Sequence, residues 1–153
     1  MKHRIMLLAG TMLLINAGIA SAQTRPDVNG TWKMNSAKSH FANQGPTAIT
    51  IKFVQKDSSL LETLTLGGDG GERSLDLKYT TDGKEGVNQI GDESAKTTAN
   101  WEKDALVIEW KGDGRSLRRK ITVSGDGKTI TMSVHHSDPG GSEADDTVVL
   151  ERQ

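Results

Sequence analysis

AKTTANWEKDALVIEWKGDGRSLRRKITVSGDGKTITMSVHH, residues 95–136, is the stretch that decides the fold. It divides into four runs of alternating apolar and polar residues, separated by three short turns. Successive side chains of a strand point to opposite faces, so strict alternation marks half-buried strands. Trp101, Leu106, Ile108 and Trp110 share one face of the first hairpin. Leu117, Ile121 and Val123 continue that face, and Ile130, Met132 and Val134 extend it. The turns are Glu102-Lys103-Asp104-Ala105, Gly112-Asp113-Gly114 and Gly125-Asp126-Gly127. Asp-Gly favours tight hairpins because both residues tolerate positive φ. A meander of this kind either ends in exposed edges or closes on itself. Closure into a small barrel is the reading adopted here.

Outward from that stretch, the same alternation recurs. Gly30 to Met34 reads as a first strand with Trp32 and Met34 on one face. Thr47 to Gln55 follows with Ile49, Ile51 and Phe53 inward. Leu60 to Leu66 carries Leu60, Glu62, Leu64 and Leu66 on one parity. Arg73 to Thr80 points Leu75, Leu77 and Tyr79 inward, and Thr147 to Arg152 is the last strand. Between Glu85 and Glu93 the pattern is less regular, and Val87 and Ile90 can add a short strand. Asn35 to Pro46 breaks the alternation. Ser36 to Phe41 can form one helical turn there, with Phe41 anchoring the loop to the body. Gly67 to Gly71 reads as a loose turn. The fold class is therefore all-β: an antiparallel up-and-down, or meander, β-barrel of about 8–10 short strands.

The N-terminus has a different character. Lys2, His3 and Arg4 precede a mostly apolar run from Ile5 to Ile19, and Ala20-Ser21-Ala22 is a small-x-small cleavage pattern. Residues 1–22 are expected to be a secretory signal peptide, and residues 23–153 a single domain. The apolar run is short for a membrane anchor, so no membrane span is expected after cleavage. Export to the periplasm or beyond follows as the expected location. The chain has no cysteine, which excludes disulfides and thiolate metal sites. Losing Lys2 and Arg4 with the leader leaves 17 basic against 20 acidic residues, a net charge of −3. Such a chain presents no general basic field for nucleic acid, and its few aromatics make no platform for single strands.

With Gly30-Thr31-Trp32 on its first strand, a run of short hairpins and Arg152 near its end, the chain resembles the calycin superfamily. Within it, the chain is similar to the small lipocalin-like domains exported by bacteria. Asn35-Ser36-Ala37-Lys38-Ser39 after the first strand adds to the likeness. The resemblance implies that Trp32 closes one end of the barrel and that Arg152 packs across it, both in structural roles. A guanidinium over an indole is favourable by roughly 0.5–2 kcal/mol. The disulfide and C-terminal helix of full lipocalins are absent, so the strand count can sit nearer the fatty-acid-binding branch, although the helical lid of that branch is missing as well.

Three titratable residues have inward parity: Arg119 between Leu117 and Ile121, Glu62 between Leu60 and Leu64, and His136 beyond Val134. Hairpin registry places Arg119 opposite Val134 with His136 diagonal to it, and Glu62 opposite Leu77 with Tyr79 diagonal. A charge inside a barrel is costly unless paired, hydrated or ligand-bound. Arg119 therefore needs an anion, either Glu62 across the barrel or the acidic group of a ligand, whose carboxylate its fork would suit. Ala95, Thr97 and Ala99 are small inward residues facing Ile108 and Trp110. They either leave a cavity or make room for Trp110.

Arg119, Glu62, Tyr79, Trp110 and His136 are the candidate ligand-binding residues. No catalytic residue is assigned, because no nucleophile–base pair is visible. No metal site is assigned either: His135 and His136 are adjacent on a strand and point to opposite faces. No cofactor is implied. The preferred function is an exported barrel holding a small, partly apolar ligand, which can be acidic and amphipathic. The alternatives are a filled barrel that binds another envelope protein or acts as an inhibitor, and, less favoured, a calycin-type isomerase or cyclase. An interior cavity distinguishes the first from the second.

Overall fold

The computed structural model describes residues 25–153; the expected leader, residues 1–22, lies outside the described residues. Ten antiparallel strands form one sheet: β1 (Gly30–Met34), β2 (Ala48–Lys56), β3 (Ser59–Gly68), β4 (Gly71–Thr80), β5 (Gly86–Ile90), β6 (Glu93–Glu102), β7 (Ala105–Gly112), β8 (Arg115–Val123), β9 (Thr129–Ser137) and β10 (Glu143–Arg152). Their order is β4-β3-β2-β1-β10-β9-β8-β7-β6-β5. Every pairing is between sequence neighbours except β1 with β10, the first strand meeting the last. The result is a nearly closed up-and-down barrel whose two unpaired edges, β4 and β5, face each other. Among the described residues no helix is long and apolar enough to cross a membrane.

The turns carry the strain that short hairpins require. Asp113 and Gly114 both adopt positive φ, 48° and 74°, so Gly112 and Arg115 pair across a two-residue turn. Two such residues match the right-handed twist of the strands they join. The glycine-rich segment after β3 is tighter than its sequence suggests. Gly68 pairs directly with Gly71, leaving only Asp69 and Gly70 in the turn, with Gly71 at φ 96°. A stretch that reads as a loose turn is instead continuous ladder.

Asn35 to Thr47 forms no helix, only a hydrogen-bonded turn at Ser36 to Lys38 in which Lys38 N–H donates to Asn35 O at 3.2 Å. The chain instead stays beside β10. Asn35 N–H donates to Val149 O, and His40 exchanges backbone hydrogen bonds with Thr147. Past the end of β1, the β10 edge would otherwise present unpaired amides, and this segment satisfies them. Phe41 packs on the core from the loop, and its ring lies so close to Gly45 that a Cβ there would overlap it.

The interior is filled at one end. Trp32, Ile51, Phe53, Leu60, Leu106, Ile130 and Leu150 are buried there almost completely. Trp32 donates its indole N–H to Val28 O at 2.8 Å, and the Arg152 guanidinium lies 4.3 Å from its ring centroid. Arg152 also donates to the carbonyls of Gly127 and Asn29 at 2.8 and 2.7 Å, which ties the β8–β9 turn and the end of β10 to the lead-in before β1. This cluster seals one mouth of the barrel.

Candidate functional site

Above the sealed end, two strands from opposite sides of the barrel meet through a buried ion pair. Inward parity on β3 and β8 sends Glu62 and Arg119 toward each other, although they are 57 residues apart. Arg119 Nη1 donates to Glu62 Oε1 at 2.6 Å and Nη2 to Oε2 at 2.7 Å, a two-pronged charge-assisted contact. Nη2 also donates to the Tyr79 hydroxyl at 3.3 Å. The Glu62 side chain is 0% exposed and that of Arg119 8%. The local neighbours are apolar: Glu62 pairs with Phe53 and Leu77, Arg119 with Ile108 and Val134. Burial opposes the charge on Arg119, but the adjacent Glu62 carboxylate more than offsets it and holds the guanidinium above its usual range. Burial also pushes the Tyr79 phenol well up, with Arg119 pulling it back and Glu62 adding to the rise.

Beyond this pair the barrel is hollow. A cavity of about 240 Å³ is lined by Leu64, Leu66, Leu75, Leu77, Tyr79, Ile90, Ile108, Trp110, Leu117 and Arg119. All but Tyr79, Arg119 and the indole nitrogen of Trp110 contribute only hydrocarbon. The Trp110 N–H is buried and finds no acceptor among the described residues. Ala95, Thr97 and Ala99 do not line the cavity. Thr97 lies directly opposite Trp110, and a Cβ at Gly112 would touch both Trp110 Cζ2 and Ala95 Cβ. The small residues of β6 thus lie against the indole.

Of the five candidates named from sequence, Arg119, Tyr79 and Trp110 line the cavity. Glu62 does not; it lies behind the Arg119 guanidinium, and its carboxylate is engaged there. His136 also stands outside the lining. Its ring is half-buried beside Leu117, with Nε2 3.4 Å from Asp146 Oδ2. His135 points outward and meets Asp145 at 2.8 Å. Among the described residues no group of three metal-ligating side chains converges.

One residue that closes the barrel escapes a reading based on apolar alternation. Asn88, on the short strand β5, faces inward and spans the seam between the two edge strands. Lys78 N–H donates to Asn88 Oδ1 at 2.8 Å, and Asn88 Nδ2 donates to Lys78 O at 2.9 Å. A side-chain amide thereby imitates one rung of the missing ladder. The same nitrogen donates to Thr97 Oγ1 at 2.8 Å, which explains a buried threonine on β6. The available signal was an amide residue sharing parity with Ile90 two residues on.

No family profile matches the sequence, and no curated protein matches it. Solved structures do match. A secretory abundant heat soluble protein from Ramazzottius varieornatus superposes with a TM-score of 0.66 at 10% identity, covering 86% of this chain and 98% of that one. The fatty-acid-binding protein 1 of Echinococcus granulosus gives 0.58 at 12% identity, over 82% and 96%. The ileal bile acid-binding protein of zebrafish, complexed with cholic acid, gives 0.56 at 16% identity, over 82% and 98%. At such identities the likeness shows a shared fold.

Proposed function

We propose that this protein binds a small, largely apolar ligand inside its barrel. One observation carries the reading: the interior is filled at the Trp32 end and hollow beyond Arg119, with a wall of leucine, isoleucine and indole. Native interiors are close-packed, and an apolar hollow with a few convergent polar groups is the usual form of a ligand site. Neighbours of the same fold that bind fatty acids and bile acids support it. The Tyr79 hydroxyl and the Arg119 guanidinium provide the polar end, and the leucines of β3 and β4 provide the apolar wall. The charged n-region, apolar run and Ala20-Ser21-Ala22 support a site of action outside the cytoplasm. Intact-mass measurement of exported protein tests that placement, with a mature start at Gln23 as the expected result.

The binding test uses N-phenyl-1-naphthylamine, a neutral apolar fluorophore. The wild type is expected to bind it with enhanced emission. Leu75→Trp places an indole in the hollow and is expected to abolish binding without loss of stability. Absence of binding by the folded wild type, or equal binding by the filled variant, refutes the reading.

A further inference from the structure

The cavity rests on an arginine whose two outer nitrogens are already engaged by a carboxylate of the protein. Arg119 Nη1 and Nη2 meet Glu62 Oε1 and Oε2 at 2.6 and 2.7 Å, the side-by-side arrangement a carboxylic acid ligand would adopt. Glu62 sits wholly behind the guanidinium, while Arg119 and Tyr79 form the inner end of the cavity. The two charges cancel, so the cavity presents a neutral floor. An entering carboxylate has two options. It can displace Glu62, which strands a buried anion among Phe53 and Leu77, or it can join Glu62 as a second anion on one cation. Both are unfavourable in a low-dielectric interior. A hydroxyl, ester or ether oxygen meets neither penalty and can take the Tyr79 hydroxyl as partner.

Resting on the ligand-binding reading above, we propose that Glu62 determines specificity by occupying the anion seat of Arg119, which confines the barrel to uncharged apolar ligands and turns carboxylic acids away. The residue acts as a tethered stand-in for the acid headgroup. Tyr79 suits the remaining task, because burial keeps its phenol protonated and able to donate.

The test compares 1-octanol with octanoate, ligands of equal chain length that differ in charge, by displacement of N-phenyl-1-naphthylamine at neutral pH. The wild type is expected to bind the alcohol about tenfold or more tightly than the carboxylate. Glu62→Gln frees the guanidinium and is expected to reverse that order. Octanoate then raises the melting temperature of the variant more than octanol does, because a ligand that binds only the native state stabilises it in proportion to its affinity. Should Glu62→Gln not fold unaided, refolding it with each ligand reads the same preference. Glu62→Asp, which keeps the charge but draws its oxygens away from Arg119, gains octanoate affinity to a lesser degree. Equal affinity of the wild type for both ligands overturns the proposal alone. So does an unchanged preference in both Glu62 variants. Failure of the wild type to bind the fluorophore or the alcohol overturns the ligand-binding reading as well.

Discussion

Replacing Arg119 by methionine removes the cation from a buried pair. The wild-type contact has two charge-assisted hydrogen bonds of 2.6 and 2.7 Å and a third at 3.3 Å to Tyr79. The substitution leaves the Glu62 carboxylate at 0% exposure with no counter-charge. Removing one partner of a buried pair costs about 3–5 kcal/mol, because the other charge remains in an apolar setting. Glu62→Gln, which strands the guanidinium instead, belongs in the same range. The double variant contains no stranded charge. It retains only an amide with incomplete hydrogen bonding, a cost of about 1–3 kcal/mol. The double variant is therefore expected to be more stable than either single one, far from the sum of the two losses. Urea unfolding at neutral pH, followed by tryptophan emission with matched m-values, measures all four proteins. Additivity within about 0.5 kcal/mol would refute the buried pair, as would a loss under about 1 kcal/mol for Arg119→Met, the size expected of a solvated one.

Trp32→Ala empties the sealed end and removes the seat of Arg152; a loss of about 3–5 kcal/mol is expected in the same urea assay, and a loss below about 1 kcal/mol would contradict its placement. Asn88→Ala should cost about 1–3 kcal/mol and speed hydrogen exchange at the Lys78 amide, and unchanged protection there would show that the amide does not hold the seam. Tyr79 is the one tyrosine of the chain, so tyrosinate absorbance reports it alone. Its phenol ionises near 10.0 when unfolded and higher in the fold. The unfolded chain therefore releases its proton first, and stability is expected to fall as pH rises above about 10. Tyr79→Phe should remove that decline, and a tyrosinate titration near 10 in the native protein would negate the burial argument.

Strand content, facing and most of the register are local properties, and they are readable from residues 95–136 and their counterparts. Each hairpin couples segments only a few residues apart through turns such as Gly112-Asp113-Gly114, and parity then assigns Leu117, Arg119 and Ile121 to one face. The same logic places Glu62 and Tyr79 inward. It cannot say whether Arg119 meets Glu62 or a ligand, because that depends on how far β3 and β8 stand apart once β1 has closed on β10. Nor does alternation reveal Asn88, whose partners Lys78 and Thr97 are brought beside it by closure, or the tight Gly68–Gly71 pairing, since glycine has no side chain to alternate. Sequence patterning by itself determined an all-β meander with a charged pair of residues inside. Tertiary closure alone decided that those residues neutralise each other and that the barrel is full below them and hollow above. The physical reason is that a cross-barrel distance is set by the curvature of the whole sheet, which no single hairpin contains.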